Sequence, residues 1–179
     1  MHGLILAELK KFVDDRLGPE RWPELLNKAS VGGRMYLPIH HYPDSEAVAL
    51  VQAACAHTGL PMDTLLEQFG EFIAPDLLQM YSAVIDRQWR TLEVVENTEE
   101  TIHRVVRLRN PGASPPELRT ERPGPDEVVV IYASPRKMCA VARGIVRGLA
   151  VHFGERIAIE EPKCMHRGAS QCRISVRRL

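Results

Sequence analysis

The sequence has no long apolar run. Nothing in it approaches the ~20 residues that a membrane-spanning helix needs. The N-terminus offers only Leu4 to Ala7 before Glu8, Lys10 and Lys11, too short a stretch for a secretory leader. Neither sign of charge is in excess. Lys plus Arg number 23 and Asp plus Glu number 23, which argues against a chain that wraps nucleic acid. Cysteine is sparse: Cys55, Cys139, Cys164 and Cys172. In the cytoplasmic setting these absences point to, they read as thiols or metal ligands rather than as a disulfide framework. Internal repeats and low-complexity segments are missing. So are a nucleophile–base pair, a Gly-rich phosphate loop and a paired acidic site, so no enzyme class is expected.

What is present is a chain of 179 residues, 45% hydrophobic and 26% charged. That is enough for one domain with a real core. The first hundred residues read as helices. Leu4, Ile5, Ala7, Leu9, Phe12 and Val13 recur at helical spacing until Gly18-Pro19. Trp22 to Ala29 forms a second helix, stopped by Gly32-Gly33. Tyr36 to Tyr42 is an extended connector, and Asp44 or Ser45 caps a third helix. Met62 to Trp89 forms one or two more. Asn97 and Glu100 have capping-box spacing and open a helix over Thr98 to Leu108. The segment from Asn110 to Pro125 holds five of thirteen prolines and reads as a stiff loop. Glu127 to Tyr132 is a β-branched run suited to a strand buried on both faces. Met138 to Phe153 is helical, and Arg156 to Glu160 and Arg173 to Arg177 are strands. Helices followed by β-α-β-β make an α+β chain with an antiparallel sheet.

Two sets of residues carry chemistry. Tyr132, Ser134 and Arg136 alternate at the end of the buried strand. Extended backbone would point a phenol, a hydroxyl and a guanidinium to one side, a donor set for carboxylates. On spacing alone, the same residues read first as caps of the strand's own turns. His103 lies mid-helix among Ile102, Val105, Val106 and Leu108, where it reads either as a core histidine or as a ligand.

The ordered landmarks resemble the H-NOX family, the haem nitric oxide/oxygen-binding domains. They are Met1-His2-Gly3-Leu4-Ile5, Trp22-Pro23-Glu24-Leu25-Leu26, Tyr42-Pro43-Asp44, Phe69-Gly70, His103 ahead of Pro111 and Pro115-Pro116, and Tyr132, Ser134 and Arg136 as Tyr-x-Ser-x-Arg. The likeness spans residues 1–179. It implies an H-NOX fold with a distal helical part over 1–60, a proximal part over 61–179, and haem b between them. His103 would be the proximal iron ligand. Tyr132, Ser134 and Arg136 would bind the propionates, and Pro115 would press on the porphyrin. Ile5, Leu9, Val141 and Ile145 would wall the distal pocket, though each reads equally as ordinary core. In oxygen-binding members a tyrosine on the helix after the signature donates to bound O₂. Val141 stands there and cannot donate, so the resemblance implies a pocket selective for nitric oxide.

The link between the last two strands carries Cys164-Met165-His166 and Cys172. With Cys139 as a fourth, a Cys3His zinc site is available, like that of one H-NOX subgroup. The alternative is a set of reduced thiols and a surface histidine. Cys139 lies three residues beyond Arg136, so a zinc–thiolate redox sensor that works without haem is the second functional expectation. No kinase or cyclase module is read in the sequence. Stand-alone bacterial members typically regulate a histidine kinase or a cyclic-di-GMP enzyme, so output through a separate partner is expected.

Overall fold

A computed structural model describes residues 1–179. The chain divides into two compact units, Met1–Phe69 and Gly70–Leu179, with the boundary falling inside one helix.

The first unit is helical. α1 (Gly3–Leu17) buries Leu6, Leu9, Phe12 and Val13 on one stripe and ends at Gly18, whose φ of 98° suits glycine. α2 (Arg21–Lys28) buries Trp22, Leu25 and Leu26. α3 (Asp44–Thr58) starts with Asp44 and Glu46 near its positive end and stops at left-handed Gly59. α4 (Met62–Met80) contributes Leu65, Leu66 and Phe69, and Phe69 meets Phe12 edge-on at 5.7 Å. The connector before α3 is strapped down. Gly3 N–H donates to His40 O, and a Cβ on Gly3 would lie 2.0 Å from the Leu37 carbonyl oxygen. Glu46 accepts from Arg34 at 2.5 Å and Tyr36 at 2.8 Å.

The second unit packs helices on a sheet. After α4 come a short 3₁₀ turn (Ser82–Val84), α5 (Thr91–Asn97), a π turn (Glu99–His103) and α6 (Arg104–Arg109). β1 (Glu117–Gly124), β2 (Glu127–Ala133), α7 (Cys139–Phe153), β3 (Ile157–Lys163) and β4 (Cys172–Arg178) complete it. The four strands are antiparallel in the order β1-β2-β4-β3. Val128, Val130 and Tyr132 of β2 pair with Val176, Ile174 and Cys172 of β4. They share a core with Leu92, Val94 and Val95 of α5 and Val146 and Leu149 of α7.

Two sequence expectations change here. The proline-rich segment contains a strand, so the order is β-β-α-β-β. The strand forms because β1 is an edge, paired only with β2, and an edge tolerates Pro123. The helix read from Thr98 begins instead at Thr91, where Glu93 reaches back to Arg90 N–H. Asn97 is not a cap; its amide donates to Glu93 O inside the helix.

Candidate functional site

His103 closes the π turn. Its N–H reaches back five residues to Thr98 O at 2.9 Å. The widening has a local cause. The hydroxyls of Thr98 and Thr101 bond the carbonyls of Val94 and Asn97, competing with the helix's own donors. The imidazole is 13% exposed, and its Nδ1 lies 2.9 Å from Glu99 Oε2. Burial pushes the ring's pKa down, against the pull of Glu99 and of the Pro116 carbonyl, so neutral imidazole, the ligand form, is favoured. Burial also works to raise Glu99, but hydrogen bonds from His103 and Arg107 outweigh it and hold the carboxyl low. A cleft of about 470 Å³ opens beside this pair, lined by Glu99, Arg107, Pro115 and Leu118 among others. Pro115 therefore lines the same cleft as Glu99, the partner of His103.

β2 ends at Ala133, so the extended alternation does not continue to Arg136. A turn gathers the three residues instead. Arg136 N–H donates to Ser134 Oγ at 3.3 Å, and Lys137 takes a positive φ of 51°. Tyr132 is 3% exposed and hydrogen-bonded to the Ser134 side chain and the Met138 backbone. Burial pushes its phenol up to about 12, so it stays a neutral donor. Arg136 donates to Ser114 O at 2.6 Å, tying the signature to the segment that carries Pro115.

Ile5 lies half-buried on α1, with Leu9 buried a turn later; Val141 and Ile145 lie half-buried on α7. α4 and α7 approach closely at Gly70, where a Cβ would stand 2.2 Å from Val141 O and 2.8 Å from Ile145 N.

Cys139, Cys164 and Cys172 come together from the start of α7, the end of β3 and the start of β4. Cys164 Sγ is 3.7 Å from Cys139 Sγ and 3.8 Å from Cys172 Sγ. Burial raises both Cys139 and Cys172, the latter to about 11. His166 does not join them. It is exposed on the following turn, with Nε2 2.6 Å from Lys137 O. The fourth corner belongs to Glu161, whose carboxylate lies with the three sulfurs inside a 4.8 Å cluster. Its Oε2 accepts from buried Arg143 at 2.7 Å, and its Oε1 is buried without a hydrogen-bond partner. Glu161 and Glu99 are the residues that sequence reading missed. The available signals were Glu-x-x-Cys at 161–164 and Glu-x-x-x-His at 99–103, both short and common patterns.

Residues 2–161 match the sequence model of the Haem-NO-binding family. The chain superimposes with TM-score 0.93 and 28% identity on an H-NOX protein of S. oneidensis solved in its Fe(II)NO state, covering 100% of this chain and 99% of that one. An NMR structure of the Shewanella oneidensis domain in its Fe(II)CO state gives 0.89 at 28%, covering 100% and 99%. The unliganded Fe(II) H-NOX protein of K. algicida gives 0.89 at 25%, covering 100% and 97%. Among curated proteins, none matches this chain.

Proposed function

The chain belongs to the Haem-NO-binding (H-NOX) family of haem sensor domains, and from that membership we propose a nitric oxide sensor that holds ferrous haem b through His103 and signals to a separate protein. The observation that carries the reading is the setting of His103: mostly buried, its charged form disfavoured by that burial, and its Nδ1 beside a carboxylate. A metal-ligating histidine commonly has that second hydrogen bond. Tyr132, Ser134 and Arg136 supply a phenol, a hydroxyl and a guanidinium for the propionates, the hydrogen-bonding that two carboxylates require. Pro115 would be the rigid ring against the porphyrin, and Ile5 and Leu9 in the first unit and Val141 and Ile145 in the second are apolar side chains that offer no donor. Residues 1–60 make the distal part and 61–179 the proximal part. When bound, ferrous haem would supply an iron able to take a diatomic gas, and His103 would be the side chain that holds it. His103 stands at the junction of the π turn and α6, where a change at that ligand would bias a two-state element. No helix is long and apolar enough to cross a membrane, and we place the protein in the cytoplasm. Its partner is a histidine kinase or a cyclic-di-GMP enzyme.

The test is the absorption spectrum of reduced, haem-loaded protein in air and then under nitric oxide. A Soret band indifferent to O₂ that moves to a five-coordinate nitrosyl position supports the reading. A stable oxygen complex overturns the selectivity, and a His103→Ala variant that keeps five-coordinate ferrous haem overturns the ligand.

A second reading, a zinc–thiolate redox sensor, has its own support. Zn–S bonds of about 2.3 Å in tetrahedral geometry put sulfurs about 3.8 Å apart, and the observed spacings agree. The unpartnered Glu161 Oε1 is the orphan a metal would satisfy. We assign the ligands as Cys139, Cys164, Cys172 and Glu161, with Glu161 in the place expected for His166. Metal analysis showing no zinc overturns it. An oxidant response that survives in His103→Ala and vanishes in Cys172→Ser supports it.

A further inference from the structure

Glu99 joins three elements of the second unit. Its Oε2 faces Nδ1 of His103 at 2.9 Å and accepts the backbone N–H of Leu118 on β1 at 3.2 Å. Its Oε1 accepts from the guanidinium of Arg107 on α6. The carboxylate is 22% exposed, while Arg107 reaches the open cleft and is 41% exposed. One oxygen therefore serves the ring and the other serves a cation.

We propose that Glu99 is the positioning residue for the haem ligand and sets how strongly His103 holds iron, with Arg107 opposing it. The inference rests on the reading of His103 as the proximal ligand. A neutral imidazole has one N–H and one lone pair. When Nδ1–H is given to Glu99, the lone pair is at Nε2 and the ring cannot turn without breaking that bond. The Leu118 amide holds Glu99 itself in place, so the ring orientation is referred to the sheet. The carboxylate also draws the Nδ1 proton toward itself, which makes the ring a stronger donor at Nε2. The Arg107 guanidinium withdraws negative charge from the same carboxylate and moderates that effect. Glu99 and Arg107 thus act on the iron–His103 bond with opposite sign. Because the response to nitric oxide depends on release of that bond, the pair sets the point at which His103 lets go.

The experiment is resonance Raman spectroscopy of unliganded ferrous, haem-loaded protein, reading the iron–histidine stretch, with the haem reduction potential measured on the same samples. Glu99→Gln keeps the shape and removes the charge. It should lower the stretching frequency, raise the potential and speed conversion to the five-coordinate nitrosyl form. Arg107→Ala leaves water from the cleft in place of the guanidinium. It should raise the frequency and lower the potential. A merely structural role would loosen the ligand in both variants and move both frequencies down. Shifts of the same sign, or no shift in either, overturn the proposal. Should Glu99→Gln fail to retain haem, the sign for Arg107→Ala decides: upward supports, downward or unchanged overturns. Wild-type protein and His103→Gly without added imidazole separate the two levels. Loss of the native mode in that variant confirms the ligand whatever Glu99 does. A native mode unaffected by removing His103 overturns the ligand reading, and the Glu99 proposal falls with it.

Discussion

Burial favours Glu161 over His166 as the proposed fourth partner of the thiol cluster. His166 keeps its imidazole in solvent, whereas Glu161 presents an orphaned carboxylate oxygen to three buried sulfurs. Glu161→Gln should therefore lower zinc affinity by at least tenfold, since ligand shells lose about 10–100-fold when even an outer partner is removed. His166→Ala should leave it within about twofold. A competitive chelator titration measures both, and equal losses would restore His166 to the site. Glu46 makes a prediction of a different kind. Hydrogen bonding from Arg34 holds its carboxyl below the ordinary range, against the effect of burial. A depressed carboxyl stabilises the fold above its ordinary range, and that contribution is lost as pH falls through the folded value. Urea unfolding should show wild type more stable than Glu46→Gln at pH 7, with the gap closing as pH falls below the ordinary carboxylate range. A gap independent of pH would mean that shape, not charge, is what Glu46 provides. At this scale the sequence announces only what is local. His103 and Tyr132, Ser134 and Arg136 are legible as ordered landmarks. Glu161 is not, because its place depends on where β3 breaks register beside Pro162, between Glu160 and Lys163.

The helix pair α4 and α7 is set by glycines. A Cβ on Gly148 would lie 2.5 Å from Glu71 O and 2.6 Å from Ala74 Cβ, and one on Gly70 would meet the α7 backbone. Alanine in a helix interior normally gains up to about 1 kcal/mol over glycine. Here a backbone carbonyl cannot give way, so the overpacking cost of about 1–3 kcal/mol prevails. Gly148→Ala should lower the thermal midpoint, and a rise would show that the helices separate easily. The π turn belongs to the same scale. Hydroxyls at Thr98 and Thr101 announce trouble for an α-helix, but helical periodicity across Ile102, Val105 and Val106 masks it. β1 escapes a reading by proline content for the opposite reason. Its alternation of exposed and half-buried residues is a strand signal, while Pro116, Pro123 and Pro125 read as loop. An edge strand allows both.

The molecule as a whole resembles H-NOX structures more closely in its path than in its residues, at TM-score 0.93 and 28% identity. The α+β class was legible because binary pattern survives such divergence: helical stripes first, then β-branched runs and a wet-faced final strand. The division at Phe69 and Gly70 was not legible, since α4 continues through it without a break in pattern. Haem should act on the stability of this whole. A ligand that binds only the folded chain adds RT ln(1 + [L]/Kd), about 2.7 kcal/mol at a hundredfold excess over Kd. In a thermal melt, adding haem to wild type should raise the midpoint progressively with concentration. His103→Ala should show little of that rise, because removing the proposed iron ligand would leave only the proposed propionate and apolar contacts. Tyr132→Phe should keep a smaller part of it than wild type, since the proposed ligand is intact but one hydrogen bond to a charged group is worth about 1.5–3 kcal/mol. An equal rise in His103→Ala and wild type would mean that the fold holds the macrocycle without its proposed ligand. A nitric oxide response would then have to reach the chain by contacts other than the imidazole.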